Sequence, residues 1–228
     1  ELGQPDMIFL PGSKNTMGDL RWMRQNGLET AVKKLAVHIP VWGICGGYQM
    51  LGHTISDPHG VENENSLREP LRGMELIDTD TTLMPEKMRT QTRGKFENVT
   101  GIFSTLSGLE FSGYEIHMGK TTVSTGEHQT PLVQLADGRT DGVQRMEKGS
   151  EAPGVYGSYV HGIFDDGDIA VRIVQALADK KRVSWKPEAG GDYHAFKEQQ
   201  YDKLAQGLRE HLDMEYVYSI LQESRISV

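Results

Sequence analysis

The chain has 228 residues, a formal net charge of −8 and a hydrophobic fraction of 37%. This length suits one α/β domain with a full core, and the acidic balance argues against nucleic acid or an anionic membrane surface as a partner. The single cysteine excludes an intramolecular disulfide. Because we recognise neither a signal peptide nor a long apolar segment, we expect a cytoplasmic protein.

The first predicted unit is a strand, a helix and a second strand. Asp6–Leu10 reads as a short buried strand, and the Pro11–Thr16 segment that follows would place backbone amides at the carboxyl edge of a sheet. A plain turn before a helix is the alternative interpretation of this segment. Apolar residues at helical spacing predict a helix over Asp19–Ala36, and Val37–Ile44 predicts the next strand. The two strands should be parallel and joined by a right-handed crossover.

The sequence Gly-Ile-Cys-Gly-Gly over Gly43–Gly47 marks the end of that second strand. Glycines on both sides of Cys45 permit the sharp strand-to-helix turn of a nucleophile elbow. A helix N-terminus next to the sulfur is expected to favour the thiolate, which is the attacking species. The alternative is a buried structural cysteine in a tight turn.

The middle of the chain predicts a polar loop at residues 51–73 and then an antiparallel excursion. Its strands are expected at Met74–Leu83, Thr90–Val99 and Gly113–Met118. In the last of these, period-two alternation puts Glu115 and His117 on one face. They are either an acid/base or binding pair or the polar face of a half-buried strand.

The C-terminal part supplies a second candidate catalytic residue. A strand over Gly154–Phe164 contains His161, and a histidine at the end of a strand can accept the proton of an elbow cysteine. A structural histidine is the alternative. Amphipathic helices are predicted from Asp168 to about Lys181 and within residues 193–221. We expect the C-terminal helices to pack on one sheet face, so that residues 1–228 form one domain.

A thiol nucleophile with a histidine base and nearby amides indicates acyl transfer through a thioester. The oxyanion would be stabilised by the N–H of Gly46 and by an N–H from the loop that contains Gly12 and Ser13.

Four motifs in order, covering most of the chain, resemble class I glutamine amidotransferases, and in particular the glutaminase domains of the cobyric acid synthase family of cobalamin biosynthesis. The resemblance implies a flavodoxin-like α/β fold: an open, mostly parallel sheet with helices on both faces and an antiparallel strand excursion. The four motifs are Phe9–Thr16, Ile44–Gly52, Gly113–Gly119 and Gly157–Phe164.

This resemblance implies that glutamine is hydrolysed at Cys45, with His161 as the base. The ammonia would pass to a synthetase domain of the same polypeptide, which amidates ATP-activated carboxylates of a corrinoid. ATP and Mg²⁺ are expected on that domain, and no metal or cofactor is expected in this chain. The matching positions around the oxyanion and the glutamine side chain are Gly12, Ser13, Gly46, Tyr48 and Gln49.

The sequence departs from the wider class in two places. That class has a Pro-Glu pair after its catalytic histidine, whereas Gly162 and Ile163 follow His161 here. This leaves either a Cys–His dyad or a substitute carboxylate, for which Glu115 is the candidate. Family members place a synthetase domain and a first strand before the position where this chain begins, so we expect both to lie outside it. No P-loop occurs in the chain, and weak glutaminase activity is expected without the partner domain.

Three other interpretations stay open. The chain could serve a related amidotransferase, such as cobyrinic acid a,c-diamide synthase or a lipid-amidating complex. It could be a glutaminase-like module without catalysis, or a cysteine hydrolase or peptidase on a similar elbow fold.

Overall fold

The computed structural model describes residues 2–62, 69–124, 128–146, 153–187 and 193–223. They belong to two compact units, one reaching to Pro187 and one beginning at Glu188. The prediction of a single domain over residues 1–228 therefore stays a prediction, as does the packing of the C-terminal helices on the sheet. Parts of the predicted loops at 51–73 and 183–192 lie outside the described residues.

The first unit is built on a mixed sheet. Its central strands β1 (Ile8–Leu10), β2 (Val41–Ile44) and β9 (Val155–Ser158) are parallel. The strand β3 (Thr54–Ser56) pairs in parallel with β5 (Thr79–Phe96). The other pairings are antiparallel, so the antiparallel excursion is more extensive than expected. The strands are β1 (Ile8–Leu10), β2 (Val41–Ile44), β3 (Thr54–Ser56), β4 (Leu71–Arg72), β5 (Thr79–Phe96), β6 (Glu110–Val123), β7 (Gln129–Leu135), β8 (Thr140–Arg145), β9 (Val155–Ser158) and β10 (Val160–His161).

Helices cover both faces of this sheet. Successive residues of a strand point to opposite faces. Val41 therefore belongs to one apolar cluster with residues of the first three helices, and Trp42 belongs to another with residues of the fourth. This arrangement confirms the predicted α/β open sheet. The helices of the unit are α1 (Thr16–Gln25), α2 (Leu28–Leu35), α3 (Gly46–Leu51) and α4 (Gly167–Lys181), with a 3-10 helix at Gly101–Leu106.

Several predicted boundaries need correction. The helix predicted over Asp19–Ala36 is two helices, because Gly27 adopts a left-handed conformation (φ 74°) and ends the first one. The strand predicted from Val37 begins only at Val41, after Pro40. Two short strands, β3 and β4, lie within the stretch that we predicted to be a loop. The strands predicted at Met74–Leu83 and Thr90–Val99 are one long strand, β5, with an irregular register between Leu83 and Met88.

The second unit contains α5 (Tyr193–His211) and α6 (Met214–Glu223). Both predicted C-terminal helices are therefore present. None of the described helices in either unit has the length and apolar character needed to cross a membrane.

Candidate active site

Cys45 lies at the apex of a sharp turn between β2 and α3. Its backbone angles, φ 52° and ψ −109°, are unfavourable for a residue that carries a Cβ. A Cβ added to Gly47 would lie 2.0 Å from the carbonyl oxygen of Leu10, and one added to Gly43 would lie 2.7 Å from the Gly47 backbone. The glycines therefore permit the close approach of α3 to the sheet, and the predicted sharp strand-to-helix turn at Cys45 is confirmed.

The thiol of Cys45 is neutral at pH 7. It is buried, and its Sγ donates a hydrogen bond to the carbonyl oxygen of Ile116 over 3.5 Å. Burial raises the pKa of the Cys45 thiol to about 11, and the hydrogen bond from the Gly46 N–H opposes this only in part. The expectation that the elbow favours the thiolate is therefore wrong. Helix α3 has only six residues, and its N-terminal field does not compensate for the loss of water around the sulfur.

His161 and Cys45 flank the same α-carbon. A Cβ added to Gly12 would lie 2.9 Å from Cε1 of His161 and 3.7 Å from Cβ of Cys45. The imidazole also stacks on the ring of Tyr114, with centroids 5.1 Å apart and planes 4° from parallel. Burial, and after it the charge of His117, lowers the pKa of His161 below its usual value. Burial therefore favours the uncharged form of the imidazole, as it favours the protonated form of the thiol.

The predicted amide donors lie next to the elbow. A Cβ added to Gly46 would lie 2.7 Å from the backbone nitrogen of Ser13, so these two backbone segments are in contact. Gly47 N–H donates to the carbonyl of Pro11 over 3.0 Å, which ties the loop to α3. The hydroxyl of Ser13 donates to Asp19, so its side chain is engaged with α1. What Ser13 and Gly46 can offer an oxyanion is their backbone N–H groups.

The structure separates the roles expected for Tyr48 and Gln49. Gln49 is buried at the wall of the cavity around Cys45, where its Oε1 accepts from Thr16 (3.1 Å) and its Nε2 donates to the hydroxyl of Tyr159 (3.2 Å). Tyr48 packs edge to face against Tyr159, with ring centroids 5.2 Å apart, and lines a neighbouring cavity. Gln49 therefore lines the cavity around Cys45, whereas Tyr48 packs against Tyr159 and lines the neighbouring cavity.

Glu115 is paired with Arg139 rather than with His161. The guanidinium of Arg139 donates to both carboxylate oxygens, over 3.2 and 2.6 Å, and Nε2 of His117 lies 3.7 Å from Oε1. These neighbours, His117 and Arg139, lower the pKa of Glu115 to about 2. The contacts from Arg139 are the shorter ones, so they keep the carboxylate ionised whatever the charge of His117.

Strand register explains why Glu115 does not face His161. In the pairing of β6 with β10, Tyr114 lies opposite His161 and Glu115 lies opposite Val160. Paired residues share a face and successive residues alternate, so Glu115 and His161 point to opposite faces. The structure thus corrects the expectation that Glu115 orients the imidazole.

Asp141 is a buried carboxylate at this site that the sequence did not single out. It accepts hydrogen bonds from the hydroxyl of Ser158 (2.5 Å) and from the N–H of Tyr159 (3.0 Å), and burial raises its pKa. The carbonyl of Ser158 in turn accepts the N–H of Cys45 over 2.9 Å. Asp141 therefore fixes the end of β9 between the two candidate catalytic residues. Its sequence signal, a single Asp before Gly142, is that of an ordinary turn.

Two adjacent cavities contain these groups. The one around Cys45 and His161 has a volume of about 610 Å³ and is also lined by the charged residues Lys14, Glu62 and Lys87. The neighbouring cavity, of about 840 Å³, contains Glu115 and Arg139. Although it is the larger, it holds neither of the two candidate catalytic residues. The two cavities share the side chains of Lys87, His117 and Met118.

Within the described ranges, no group of three or more His, Cys, Asp or Glu side chains is arranged to hold a metal ion.

Comparison with known proteins gives a consistent result. Residues 1–169 match the model of the CobB/CobQ-like glutamine amidotransferase domain. A cobyric acid synthase of Ruminiclostridium cellulolyticum is 47% identical over 98% of this chain, and one of Lachnoclostridium phytofermentans is 39% identical over 98%. The chain covers 42% and 44% of these relatives, respectively, so it spans less than half of their length.

Among solved structures, the chain is similar to PurLQS of Thermotoga maritima, with a TM-score of 0.49 and 15% identity over 79% of this chain and 82% of the other. It is also similar to a glutamine amidotransferase of Thermotoga maritima, with a TM-score of 0.44 and 12% identity over 81% of this chain and 70% of the other.

Proposed function

The chain belongs to the CobB/CobQ-like glutamine amidotransferase family, and from this premise we propose that it hydrolyses the side-chain amide of glutamine at Cys45. The observation that carries the proposal is local. Cys45 lies at a strained elbow, with His161 on the other side of Gly12 and the backbone of Ser13 against Gly46. A nucleophile, a base and two sources of amide donors thus surround one cavity.

In the proposed reaction, His161 takes the proton of the Cys45 thiol as the sulfur attacks the amide carbon. The N–H groups of Gly46 and Ser13 stabilise the oxyanion of the tetrahedral intermediate. When the carbon–nitrogen bond breaks, the proton on His161 goes to the leaving nitrogen, and ammonia departs. Water then gives a proton to His161 and attacks the thioester, which releases glutamate and restores the thiol.

The electrostatics of the site favour proton transfer during attack over a preformed thiolate. The pKa of Cys45 is raised to about 11 and that of His161 is lowered, so the neutral pair is the resting state at pH 7. The carboxylate of Glu115 faces Arg139 and not His161. We therefore assign catalysis to a Cys–His dyad and give Glu115 a structural role.

The cavity suits an amino acid. A free glutamine carries both an ammonium and a carboxylate group, and the walls around Cys45 include one carboxylate, Glu62, and two ammonium groups, Lys14 and Lys87. Gln49 completes the wall beside the elbow.

The relatives support a larger context for this reaction. They are named cobyric acid synthases, and they are more than twice as long as the chain. The proposal therefore extends to a synthetase domain in the same polypeptide, which uses ATP and Mg²⁺ and amidates corrinoid carboxylates with the ammonia made here. In this view residues 1–228 are its glutaminase domain, and its single free thiol suits the reducing cytoplasm.

The test is release of ammonia from glutamine by the full-length polypeptide, with and without Cys45→Ala. Removal of the nucleophile should abolish release to below about one thousandth of the wild-type rate. A matched control is Ser107→Ala, far from the elbow in sequence and outside the lining of the cavity around Cys45. Unchanged ammonia release in Cys45→Ala would refute the proposed mechanism.

A further inference from the structure

The imidazole of His161 needs something to fix its orientation. A histidine that acts as a base must present one ring nitrogen to the thiol, yet its side chain can rotate about two bonds. Carboxylates often supply this constraint, but Gly162 and Ile163 follow His161, and Glu115 lies on the opposite face. Among the described contacts of the ring, the closest aromatic neighbour is Tyr114.

The aromatic ring of Tyr114 lies parallel to the imidazole of His161 and offset from it. Its aromatic plane is 4° from parallel to the imidazole, with centroids 5.1 Å apart, which is an offset stack. The two residues are direct partners in the pairing of β6 with β10. Because both backbones belong to the sheet, the stack is set by strand register and not by a mobile loop.

Gly12 limits the movement of the imidazole from another side. A Cβ there would lie 2.9 Å from Cε1, so the ring already fills the space above this α-carbon. The imidazole is thus confined between a bare backbone and an aromatic ring. Two residues further along β6, the carbonyl of Ile116 accepts the hydrogen bond from the Cys45 thiol. One strand therefore contacts both members of the dyad.

The exposure of Tyr114 argues against a role in core packing. Its side chain is 44% exposed and lines the cavity around Cys45. Across the described residues, no hydrogen bond of its hydroxyl accompanies the stack. Tyr114 therefore contributes its aromatic ring, and not its hydroxyl, to the site.

We propose that Tyr114 is the positioning residue of the dyad: its ring, stacked on His161, holds the imidazole toward Cys45 in place of an orienting carboxylate. This inference rests on the proposed glutaminase function. Tyr114 acts through His161 and does not itself take part in bond making.

The experiment compares Tyr114→Ala and Tyr114→Phe in the full-length polypeptide, with Val123→Ala as a control on the same strand. Val123 is 50% exposed and lies outside the cavity around Cys45. Tyr114→Ala should lower kcat for glutamine hydrolysis at least about tenfold while KM changes less than about threefold, because binding survives and orientation is lost. Tyr114→Phe and Val123→Ala should stay within about twofold of wild type.

The pH profile of kcat/KM gives a readout that loss of stability alone would not change. Loss of the ring opens one face of the imidazole to water, so the lowered pKa of His161 should rise toward its ordinary value. The acid limb of the kcat/KM profile should then move to higher pH in Tyr114→Ala and stay in place in Tyr114→Phe. The other titratable groups around His161 and its cavity are the same in both variants: Lys14, Cys45, Glu62, Lys87, His117 and, beside Gly162, Asp165.

A second measurement reads the geometry without any turnover. In NMR spectra, the Cε1 proton of His161 should shift in Tyr114→Ala, since the ring current of the stacked aromatic is lost, and should keep its position in Tyr114→Phe. Wild-type kcat and an unchanged acid limb in Tyr114→Ala would overturn the inference. So would a Tyr114→Phe variant as impaired as Tyr114→Ala. By contrast, if the wild-type protein shows no glutamine hydrolysis that depends on Cys45 while the Cε1 proton shifts as expected in Tyr114→Ala, the proposed function is refuted and the stack of Tyr114 on His161 stands.

Discussion

The two cavities of the first unit balance their charges in different ways. Around Cys45 the central groups are neutral, because burial raises the pKa of the thiol and lowers that of His161. In the neighbouring cavity Glu115 is ionised and bonded at both oxygens by Arg139. A buried carboxylate that is hydrogen-bonded at both oxygens stabilises one conformation, whereas a neutral acid and base side by side can exchange a proton. The first cavity is therefore suited to proton transfer, whereas the ion pair in the second stabilises the fold.

The largest expected effect tests the first half of this comparison. His161→Asn removes the base, and kcat for glutamine hydrolysis should fall about 10²- to 10⁴-fold with little loss of stability. The matched control is His38→Asn, because His38 is exposed and outside the cavity around Cys45. Steady-state kinetics and thermal unfolding of both variants provide the measurement. Equal rates for the two variants would remove His161 from the mechanism.

The next prediction concerns Glu115 in the second cavity, where we expect a loss of stability with little loss of activity. Glu115→Gln leaves Arg139 with only the exposed carboxylate of Asp137 as an anionic partner, and the free energy of unfolding in urea should fall by about 1 to 2 kcal/mol. The loss of kcat should be much smaller than in His161→Asn. Asp137→Asn is the control, since this more exposed carboxylate bonds the same guanidinium and should cost less than about 1 kcal/mol. A loss of kcat comparable to that of His161→Asn would instead make Glu115 a member of a triad.

The smallest expected effect is the pH dependence of the difference in unfolding free energy between wild type and Glu115→Gln. The native pKa of Glu115 is lowered to about 2, below its unfolded value of about 4.3, so its stabilisation is complete above the unfolded pKa and is lost as pH falls toward 2. The gap in unfolding free energy between wild type and Glu115→Gln should therefore narrow by about 1 kcal/mol between pH 6 and pH 3.5. A gap that stays constant over this range would show that Glu115 is not held ionised.

Local chemistry made the elbow predictable. The glycines around Cys45 are required by contacts within a few ångströms, so their spacing alone indicates a sharp turn. The break between α1 and α2 had a local signal too, in Asn26 followed by Gly27, which the apolar spacing of the surrounding helix obscured. Fold class and these local features thus lie within reach of the sequence.

Features that depend on register and burial could not be predicted in this way. The stack of Tyr114 on His161, and the turn of Glu115 away from it, depend on which residues of β6 and β10 are paired. The continuity of β5 depends on its long pairing with β6. The pKa of Cys45 was misjudged because it depends on how much water the rest of the chain removes from the sulfur.

The burial of the Cys45 thiol has a consequence for the durability of the protein. Because burial raises the pKa of Cys45 to about 11, the thiolate is a very minor form at pH 7. Peroxides and simple alkylating agents attack the thiolate, so they should modify this cysteine slowly. A molecule that enters the cavity and engages His161 meets the same sulfur with a base beside it. Selective covalent inhibitors of this chain should therefore resemble glutamine in shape, because reactivity alone will not reach Cys45.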